Sequence, residues 1–384
     1  MPPISMSKGF EVAGVVSDRG KHFAVFAPDM AGGGAERAAL QLAAGLADRG
    51  HRVDLVLAAA VGPRMAEVPE NVRLVDLGSR RVLTSVPRLA RYLRREKPDA
   101  IASVLDHANI SALLARRLGR SPARAIVIEQ NNLSLASANG STRLDRMMPW
   151  LANRFYPWAD AVVGVSAGVI DDLIELLPAV PADRFHVIYN PIVTPEMREM
   201  AQAPIDHPWF ANGHKVLVAV GRFRDQKDFP NLIRAFSQVR SQREAKLLIL
   251  GDGSERSSLE RLVVDMNLSD DVALPGYTDN PYAYLARATA FVLSSKWEGL
   301  PTVVVEALSC GAPVVATDCP SGPREILANG RFGRLVPVGD SASLATALVR
   351  VLDGDSIRPP DESWRPYELE AVLDKYMTVL AGVA

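Results

Sequence analysis

The chain has few cysteines and almost no net charge. Its 384 residues include two cysteines, Cys310 and Cys319, and carry a formal net charge of −1. Two thiols cannot form a disulfide framework, and no Cys/His spacing typical of a zinc site is present. A balanced charge without a basic tail argues against a nucleic-acid-binding protein. These absences indicate an ordinary globular protein of a reducing compartment.

Signals for export and for membrane insertion are also lacking. The first 21 residues contain no apolar core of a signal peptide. No run of about 18 apolar residues occurs anywhere in the sequence, so no membrane-spanning helix is predicted. We therefore expect a cytoplasmic protein.

One region departs from the even charge. Residues 80–124 contain eleven Lys/Arg against three acids. Within it, the segment 80–97 places Val86, Leu89 and Leu93 at helical spacing among arginines. A basic amphipathic helix can lie on an anionic membrane surface, or it can pack the same stripe on its own core. We favour peripheral membrane contact and keep the second interpretation open.

Short apolar runs alternate with helix-like segments along most of the chain. Strands rich in β-branched residues between helices indicate a parallel sheet covered on both faces. Around residue 191 a proline-rich stretch interrupts the alternation, which restarts near residue 215. The sequence thus predicts an α/β protein of two doubly wound, Rossmann-like domains. The predicted parts are a first domain (1–190), a linker (191–214), a second domain (215–364) and a C-terminal helix (365–384).

Glycines and charged residues follow four successive strands of the predicted second domain. They are Gly221, Arg222 and Lys227, then Gly251, Asp252 and Gly253, then Pro275, Gly276 and Tyr277, and finally the residues from Trp297 to Pro301. Ligands of open parallel sheets bind at the carboxyl ends of strands, so we expect these residues to converge. Arg222 and Lys227 suit a nucleotide diphosphate, because a charge-assisted hydrogen bond contributes roughly 1.5–3 kcal/mol.

The last of these strands leads into a helix that suits an anion. Pro301 at a first helical position leaves the amides of Thr302 and Val303 free to bind phosphate. Gly299 allows a backbone to approach closely.

Two acids flank this helix start. Glu306 lies one turn after Thr302 in an otherwise apolar helix, and a ribose would suit it because a carboxylate can accept both hydroxyls. An exposed helix position is the alternative, although a buried Glu is uncommon unless it is paired. Glu298 precedes the helix and is free to face the group attached to the phosphates.

Taken together, these segments resemble retaining glycosyltransferases with two Rossmann domains, the GT-B type of glycosyltransferase family 4 and group 1. The matching segments are GGGAER (32–37), VGRFRDQKDFPNLIRAF (220–236), LLILGDGSERSSLE (247–260), LPGYTDN (274–280) and the stretch 298–327 that starts with EGLPTVVVEAL. The resemblance extends from about residue 22 to residue 380, and its Glu-x7-Glu segment is highly specific. It implies two domains that face each other across a cleft, with the C-terminal helix packing back on the first domain.

The resemblance implies roles for residues of the second domain. Arg222 and Lys227 would bind the donor diphosphate, Glu306 the nucleotide ribose and Glu298 the donor sugar. The other donor-side residues would be Gly221, Gly253, Gly299, Leu300, Pro301 and Thr302, with the main chain near Tyr277 contacting the base.

Residues of the first domain would complete the site. Gly33 and Gly34 would approach the diphosphate across the cleft. His107 would lie near the donor sugar and act in catalysis together with Arg222, Lys227 and Glu298, and Glu129 would face the acceptor. The alternatives are a loop histidine without a role for His107 and a helix-capping acid for Glu129.

The implied reaction moves a hexose or N-acetylhexosamine from a nucleotide-diphosphate sugar, UDP being favoured, to a hydroxyl of a lipid-linked or polysaccharide acceptor. Such transfer serves the synthesis of cell-surface glycans such as lipopolysaccharide. No metal and no other cofactor is expected, because protein cations would hold the phosphates and no Asp-x-Asp motif ends the strands. A nucleotide-sugar epimerase with His107 as its base and a non-catalytic two-lobed binding protein are the alternatives.

Overall fold

The strands form two parallel sheets in the computed structural model, which describes residues 20–31, 33–140 and 142–382. The first sheet contains β1 (His22–Ala27), β2 (Arg52–Leu57), β3 (Arg73–Asp76), β4 (Ala100–Val104), β5 (Arg124–Glu129), β6 (Ala161–Gly164) and β7 (Phe185–Val187). The second contains β8 (Val216–Val220), β9 (Lys246–Leu250), β10 (Val272–Gly276), β11 (Ala290–Leu293), β12 (Val314–Thr317) and β13 (Arg334–Val336). We call the two sheets with their helices the first and the second lobe. The predicted lack of a signal peptide concerns residues 1–19, which lie outside the described residues, as does Gly32.

The strand order shows that each lobe is doubly wound. It is β3-β2-β1-β4-β5-β6-β7 in the first sheet and β10-β9-β8-β11-β12-β13 in the second. The order reverses between β1 and β4 and again between β8 and β11, and the carboxyl ends of these strands border a crevice. The predicted α/β fold of two Rossmann-like domains is confirmed.

Helices cover both faces of each sheet. In the first lobe they are α1 (Gly34–Asp48), α2 (Val86–Glu96), α3 (Asp106–Gly119), α4 (Leu133–Ala138), α5 (Arg143–Phe155) and α6 (Ala167–Leu176). After it come α7 (Pro195–Gln202), α8 (Pro208–Ala211), α9 (Phe229–Arg240), α10 (Arg256–Asp265), α11 (Pro281–Leu285), α12 (Thr302–Ser309), α13 (Pro323–Ile326), α14 (Ser341–Leu352) and α15 (Leu369–Ala381). The central strands are buried along almost their whole length because helices lie on both sides.

The basic segment forms α2, and its apolar stripe is not available to a membrane. Leu89, Tyr92 and Leu93 are buried in the core of the first lobe, whereas Arg91 and Arg94 are exposed. Of the two interpretations left open for this stripe, packing on the protein's own core is correct. Across the described residues no helix is long and apolar enough to span a bilayer.

The segment 191–214 contains two helices that the sequence analysis did not predict. Thr194 caps α7 by accepting a hydrogen bond from Met197 N, and Pro195 is its first residue. Pro208 likewise starts α8. Proline suits the first position of a helix because its missing N–H would have no partner there. The prolines that indicated a linker are therefore partly helix starts.

The C-terminal helix α15 lies against the first lobe. A Cβ built on Gly45 of α1 would lie 2.5 Å from Leu373 Cδ1, and Arg124 Nε donates to Val379 O at 2.7 Å. The chain reaches this position beside its earlier crossing between the lobes. Val193 N donates to Tyr367 O at 3.1 Å at that point. The two crossings are therefore joined by backbone hydrogen bonds.

Candidate active site

The carboxyl ends of four strands border the gap between the two lobes. In the first lobe they are the ends of β1 and β4, and in the second lobe those of β8 and β11. Each pair flanks the point at which the strand order reverses, where open α/β sheets bind their ligands. The candidate site is built on the loops that follow these strands.

Lys227 and Glu298 form a buried ion pair in the second lobe. Lys227 Nζ donates to Glu298 Oε1 at 2.6 Å, and Ser295 Oγ donates to the same oxygen at 2.6 Å. Glu298 is 6% exposed. Gly221 makes room for the lysine, since a Cβ there would lie 3.3 Å from Lys227 Cε. The pair thus presents a fixed cation beside a fixed carboxylate.

Further hydrogen bonds tie the loop after β8 to the loop after β11. Lys296 N donates to Gln226 O at 2.8 Å, and the Gln226 side-chain amide donates to Trp297 O at 2.9 Å. Ser294 Oγ donates to Lys227 O at 2.7 Å. The first of these bonds joins the two backbones directly, and the other two join a side chain of one loop to the backbone of the other. The position of Lys227 therefore does not depend on its ion pair alone.

The helix α12 begins beside the first turn of α1. Pro301 is its N-cap, one position before the predicted one, and no side chain caps this end. The amides of Thr302 and Val303 therefore have no partner within the helix. A Cβ built on Gly34 would lie 3.6 Å from Thr302 Oγ1. Two helix N-termini thus converge across the gap, an arrangement that attracts an anion.

Arg222 is an exposed cation that reaches toward the first lobe. A Cβ built on Gly33 would lie 3.1 Å from Arg222 Nη2 and 2.4 Å from Glu36 Oε2. A larger residue at position 33 would therefore collide with the Glu36 carboxylate and crowd the guanidinium. The glycine leaves space for Arg222 beside the start of α1.

Glu306 lies on the buried face of α12 and is 6% exposed. Its ion-pair partner comes from the first lobe, since Arg37 Nη1 is 3.6 Å from Glu306 Oε1. Arg37 also donates to the hydroxyl of Tyr282 on α11, and its guanidinium carbon lies 5.3 Å from the centroid of that ring. Burial raises the pKa of Glu306, while the positive charges of Arg37 and Arg64 oppose this rise.

Gly299 is a contact point between the lobes. A Cβ built on it would lie 2.0 Å from Gln130 O and 2.8 Å from Asn131 Cα, both in the first lobe. Its carbonyl accepts a hydrogen bond of 2.8 Å from Ser166 Oγ. The backbone that approaches Gly299 is thus the protein's own, and a glycine is required there for the lobes to meet.

A second contact between the lobes involves Glu325 of α13. Its Oε2 accepts a hydrogen bond of 2.9 Å from Ala167 N in the first turn of α6, and its Oε1 accepts one of 2.7 Å from the Tyr189 hydroxyl. An acid at a helix N-terminus is favoured by the free amides and the helix dipole. Together with Gly299, this contact holds the lobes close in the described structure.

Three other residues predicted on the donor side lie in different surroundings. Gly253 packs on the loop after β8, since a Cβ there would lie 2.5 Å from Phe223 O. Leu300 is buried, at 6% exposure. Tyr277 follows β10, and its side chain is 66% exposed. Gly253 therefore shapes the loop that bears Arg222, while Tyr277 is open to solvent.

His107 lies at the end of β4, in the first turn of α3. Its Nδ1 and its backbone N both lie 2.7 Å from Asp106 Oδ1. The hydrogen bond that His107 Nδ1 donates to the Asp106 carboxylate raises the pKa of His107 and fixes the ring. Leu105 before it has φ 80°, a strained value for a residue with a side chain. The strained turn and the carboxylate together set the direction of the imidazole.

Glu129, at the end of β5, is buried in the first lobe at 3% exposure. Its Oε1 accepts hydrogen bonds from the Tyr156 hydroxyl and from Asn109 Nδ2, the latter at 3.1 Å. Burial raises the pKa of Glu129 to about 8, and the negative charge of Asp106 adds to the rise. The residue that caps α4 is Asn132, not Glu129.

The ionisable residues do not form a group suited to a metal. Within residues 20–31, 33–140 and 142–382, no three His, Cys, Asp or Glu side chains lie close enough together to hold an ion. The charged groups of the second lobe at the gap include two cations, Arg222 and Lys227, and two carboxylates, Glu298 and Glu306, and the first lobe adds Arg37 and Glu36. That set can bind an anion and hydroxyl groups.

Two protein-family models match this chain, one in each lobe. Residues 214–354 match the family model described as glycosyl transferases group 1, and residues 32–195 match that of glycosyltransferase family 4. A 4-alpha-N-acetylgalactosaminyltransferase of Campylobacter jejuni, which acts on a diphospho-undecaprenol-linked saccharide, is 31% identical over 66% of this chain and 67% of its own length. The chain is a family 4 glycosyltransferase.

Other relatives of this glycosyltransferase align over more of its length. The lipopolysaccharide core biosynthesis glycosyltransferase LpsE of Rhizobium meliloti is 28% identical over 91% of this chain and 96% of its own. The crystal structure of Anabaena Alr3699/HepE in complex with UDP and glucose matches with a TM-score of 0.77 at 20% identity, covering 94% of this chain and 100% of that one. At that identity the match establishes the fold, and the fold is GT-B.

The sequence analysis missed several residues of the glycosyltransferase site. Arg37 lies within the quoted GGGAER segment, yet its sequence position gave no sign that it pairs with Glu306. Ser295 and Gln226, which hold Glu298 and the loop after β8, carried no signal of their own. Each of these residues acts through a partner distant in the sequence.

Proposed function

We propose that this glycosyltransferase transfers a hexose or N-acetylhexosamine from a UDP-linked sugar to a hydroxyl of a lipid-linked or polysaccharide acceptor, with retention of the anomeric configuration. The observation that supports this most is the convergence of Arg222, Lys227 and the N-terminus of α12 beside two buried acids, Glu298 and Glu306. One end of this set suits a diphosphate, and the other suits the hydroxyl groups of two sugars.

The diphosphate would lie between the lobes. Arg222, Lys227 and the amides of Thr302 and Val303 would bind its oxygens. Negative charge grows on the leaving phosphate as its bond to the sugar loosens, so these donors stabilise the transition state more than the bound donor. Lys227 would then share its charge between the phosphate and Glu298, its partner in the free protein. We propose that no metal is required, because these groups supply the positive charge.

The two acids would hold the sugars at either end of the diphosphate. Glu306 would accept the ribose hydroxyls, and Glu298 would accept a hydroxyl of the transferred sugar. His107 lies in the first lobe with its ring fixed by Asp106, and we assign it to the sugar's other side. Glu129 would act on the acceptor side only through neighbouring residues, since its carboxyl group is buried in the first lobe rather than open to the gap.

Retention would follow from the geometry of attack. The acceptor hydroxyl would approach from the face that the phosphate leaves, and a phosphate oxygen would take its proton. No carboxylate acts as a nucleophile, in contrast to retaining glycosidases, whose two carboxyl groups flank the bond about 5–5.5 Å apart. Closure of the lobes at Gly299 would exclude water and so limit hydrolysis.

Relatives support the choice of substrates. The HepE structure contains UDP and glucose, and the Campylobacter jejuni relative is named for transfer to a diphospho-undecaprenol saccharide. Two others are named for lipopolysaccharide core biosynthesis, and a third is named a lipopolysaccharide 1,6-galactosyltransferase. These names motivate a UDP donor and a lipid-linked acceptor for this chain.

A lipid-linked acceptor would require contact with an anionic membrane, and we assign this contact to α2 and α5. Both helices pack on α3. Arg91 and Arg94 of α2 are exposed, and α5 exposes Met147 and Trp150 on the face that also bears Arg146. Arginines attract anionic lipids while the aromatic and thioether side chains enter the interface.

Trp150→Ser should weaken co-sedimentation with phosphatidylglycerol vesicles, and the matched change Val264→Ser on α10 should not. Equal binding by all three proteins would exclude α5 as a contact.

The donor assignment is tested by binding and by product analysis. UDP-sugars should raise the melting temperature of the protein. Lys227→Ala and Glu298→Ala should each reduce transfer by about 10²–10³-fold with the fold retained, whereas the neighbouring Lys296→Ala should keep most activity. Near wild-type rates in the first two variants would remove the assignment.

The products separate the alternative functions. A product larger than the donor indicates transfer, an isomer of the donor sugar indicates epimerisation, and unchanged donor with tight binding indicates a binding protein. The first outcome is expected with labelled UDP-sugars and polyprenyl-diphosphate-linked acceptors.

A further inference from the structure

The buried acid of the donor lobe has its positive partner in the opposite lobe. Glu306 Oε1 lies 3.6 Å from Arg37 Nη1, and Arg37 belongs to α1 of the first lobe. Among the ion pairs of the described residues, this is the one that includes Glu306. Its side-chain oxygens accept no hydrogen bond from any described residue, in contrast to Glu298, which accepts two. Glu306 is therefore charge-compensated across the gap but still open to hydroxyl donors.

Arg37 is held firmly enough to act at a fixed place. It donates to the hydroxyl of Tyr282 and lies over that ring, which is itself 1% exposed. Tyr282 belongs to α11, which packs on α12. The arginine of the first lobe is thus inserted between two elements of the second, and it leaves both of them if the lobes separate.

We infer that Arg37 is a positioning residue for the donor: when the lobes close, it keeps Glu306 ionised and oriented so that its carboxylate accepts the ribose hydroxyls of a nucleoside diphosphate. A buried carboxylate without a partner is strongly disfavoured in its charged form. The charged form is also the better hydrogen-bond acceptor. Donor affinity is thereby linked to lobe closure. This inference rests on the proposed role of Glu306.

The surroundings of Glu306 leave Arg37 as its main counter-charge. Arg64 from the segment Pro63–Glu67 also faces it, but its guanidinium is held by Glu67 at 2.7 and 2.8 Å. On α12 itself, Cys310 is neutral because burial raises the pKa of its thiol to about 12.

Among the described residues, the other charged side chains on elements that pack against α12 are mostly paired, and Glu36 in the first turn of α1 lies beside Gly33 and Arg222. The paired acidic side chains are Glu362 with Arg331, Asp361 with Arg365, and Glu325 with Tyr189. Arg324 of α13 pairs with Asp318.

The test is UDP binding by titration calorimetry across pH. Arg37→Met keeps the unbranched apolar stem of the side chain and removes the charged guanidinium, and it should weaken UDP binding about 10-fold near neutral pH. Its loss should raise the pKa of Glu306, so binding by the variant should weaken as pH falls through a higher range than in the wild type. Arg37→Lys should restore the wild-type pH profile, because the charge returns. Kinetically, Arg37→Met should raise the donor KM more than it lowers kcat.

Glu306→Gln separates this inference from the proposed function. In that background Arg37→Met should no longer shift the pH profile of UDP binding and should weaken binding little, because the remaining pH dependence comes from the UDP phosphate itself. If Glu306→Gln binds UDP like the wild type, the ribose assignment itself is wrong. If Glu306→Gln weakens binding while Arg37→Met leaves both affinity and pH profile unchanged, the ribose site stands and the role of Arg37 is overturned. Melting temperatures without UDP show whether each variant is folded.

Discussion

Among single side chains, Glu129 combines deep burial with a hydrogen-bond pattern that suits a neutral acid. Its Oε1 accepts from both Tyr156 and Asn109, as the carbonyl oxygen of a protonated carboxyl group can. Burial raises its pKa from an ordinary value of 4.5 to about 8. The carboxyl group of Glu129, in the same lobe as His107, is therefore expected to be mostly protonated at neutral pH.

This placement predicts how stability depends on pH. Between the unfolded and the folded pKa the native state holds a proton that the unfolded state has released, so the free energy of unfolding falls as pH rises through this range. Glu129→Gln keeps the shape and removes the titration. Relative to wild type, its free energy of unfolding should increase from about pH 5 to about pH 9 by an amount on the order of a few kcal/mol, and its melting temperature should rise with it.

Thermal unfolding followed by circular dichroism measures the effect. Glu175→Gln on α6 is the control, because Glu175 is exposed. A constant difference between Glu129→Gln and wild type over the whole range would show that Glu129 is ionised in the folded protein.

Residue-scale chemistry was only partly accessible from the sequence. Glu298 and Glu306 were found because two acids stand out in an apolar segment at a strand end. The burial of Glu129 was not found, since the sequence does not show that Tyr156 lies above it. Arg37 and Tyr282 are 245 positions apart, and no local pattern links them.

Among the secondary-structure elements, α15 is the one whose place is decided by packing with distant residues. Leu373 fills the space left by Gly45 on α1, and Arg49 pairs with Glu370 at 2.6 Å and with Asp374 at 2.8 Å. The apolar contact dominates, since exposed ion pairs contribute little. A large side chain inserted opposite a glycine leaves no room for rearrangement.

Removal of this side chain should be costly. Leu373→Ala should lower the free energy of unfolding by about 2–5 kcal/mol, because a buried leucine is lost and a cavity remains. Chemical denaturation of the full chain measures it. Thr378→Ala, at an exposed position on the same helix, should change stability by less than about 0.5 kcal/mol. Similar values for the two variants would contradict the tight packing of α15 on α1.

Strands were predicted more completely than helices. The central strands of the two sheets fall within short apolar runs, because a strand buried on both faces is apolar throughout, whereas the edge strands β3 and β7 are partly exposed. The short helices α7 and α8 were missed, since four to eight residues show no clear period and their prolines look like loop signals. The start of α12 was predicted one residue early, because Pro301 is the N-cap of this helix and not its first helical residue.

For the molecule as a whole, the closed arrangement depends on a position that only glycine can occupy. A Cβ at residue 299 would lie 2.0 Å from Gln130 O. The lobes would have to move apart, and the bond from Ser166 to the Gly299 carbonyl would be lost. The sequence analysis expected a backbone to approach Gly299 closely, and one does. The sequence could not indicate that this backbone belongs to the first lobe of the same chain.

Gly299→Ala should therefore impair closure without unfolding either lobe. We expect transfer to fall by about 100-fold, since a displacement of about 1 Å is enough for such a loss. Small-angle scattering should give a larger radius of gyration than for wild type. Gly213→Ala is the control: its φ of 70° makes an alanine there less stable by about 1–2 kcal/mol, but nothing lies within 4 Å of a Cβ at that position, so the lobes should still meet. Unchanged scattering and rates for Gly299→Ala would place the functional contact between the lobes elsewhere.

The return of the chain to the first lobe has a consequence during protein synthesis. The seven strands of that lobe are complete once β7 has left the ribosome, but the surface of α1 around Gly45 is covered only by α15, roughly 180 residues later. At ordinary rates of translation that interval lasts roughly 10–40 s. During this interval the nascent first lobe exposes the apolar surface of α1 that α15 later covers. Ribosome-associated chaperones and crowding should therefore affect the folding yield of this protein more than that of a protein whose first lobe is complete before its second is synthesised.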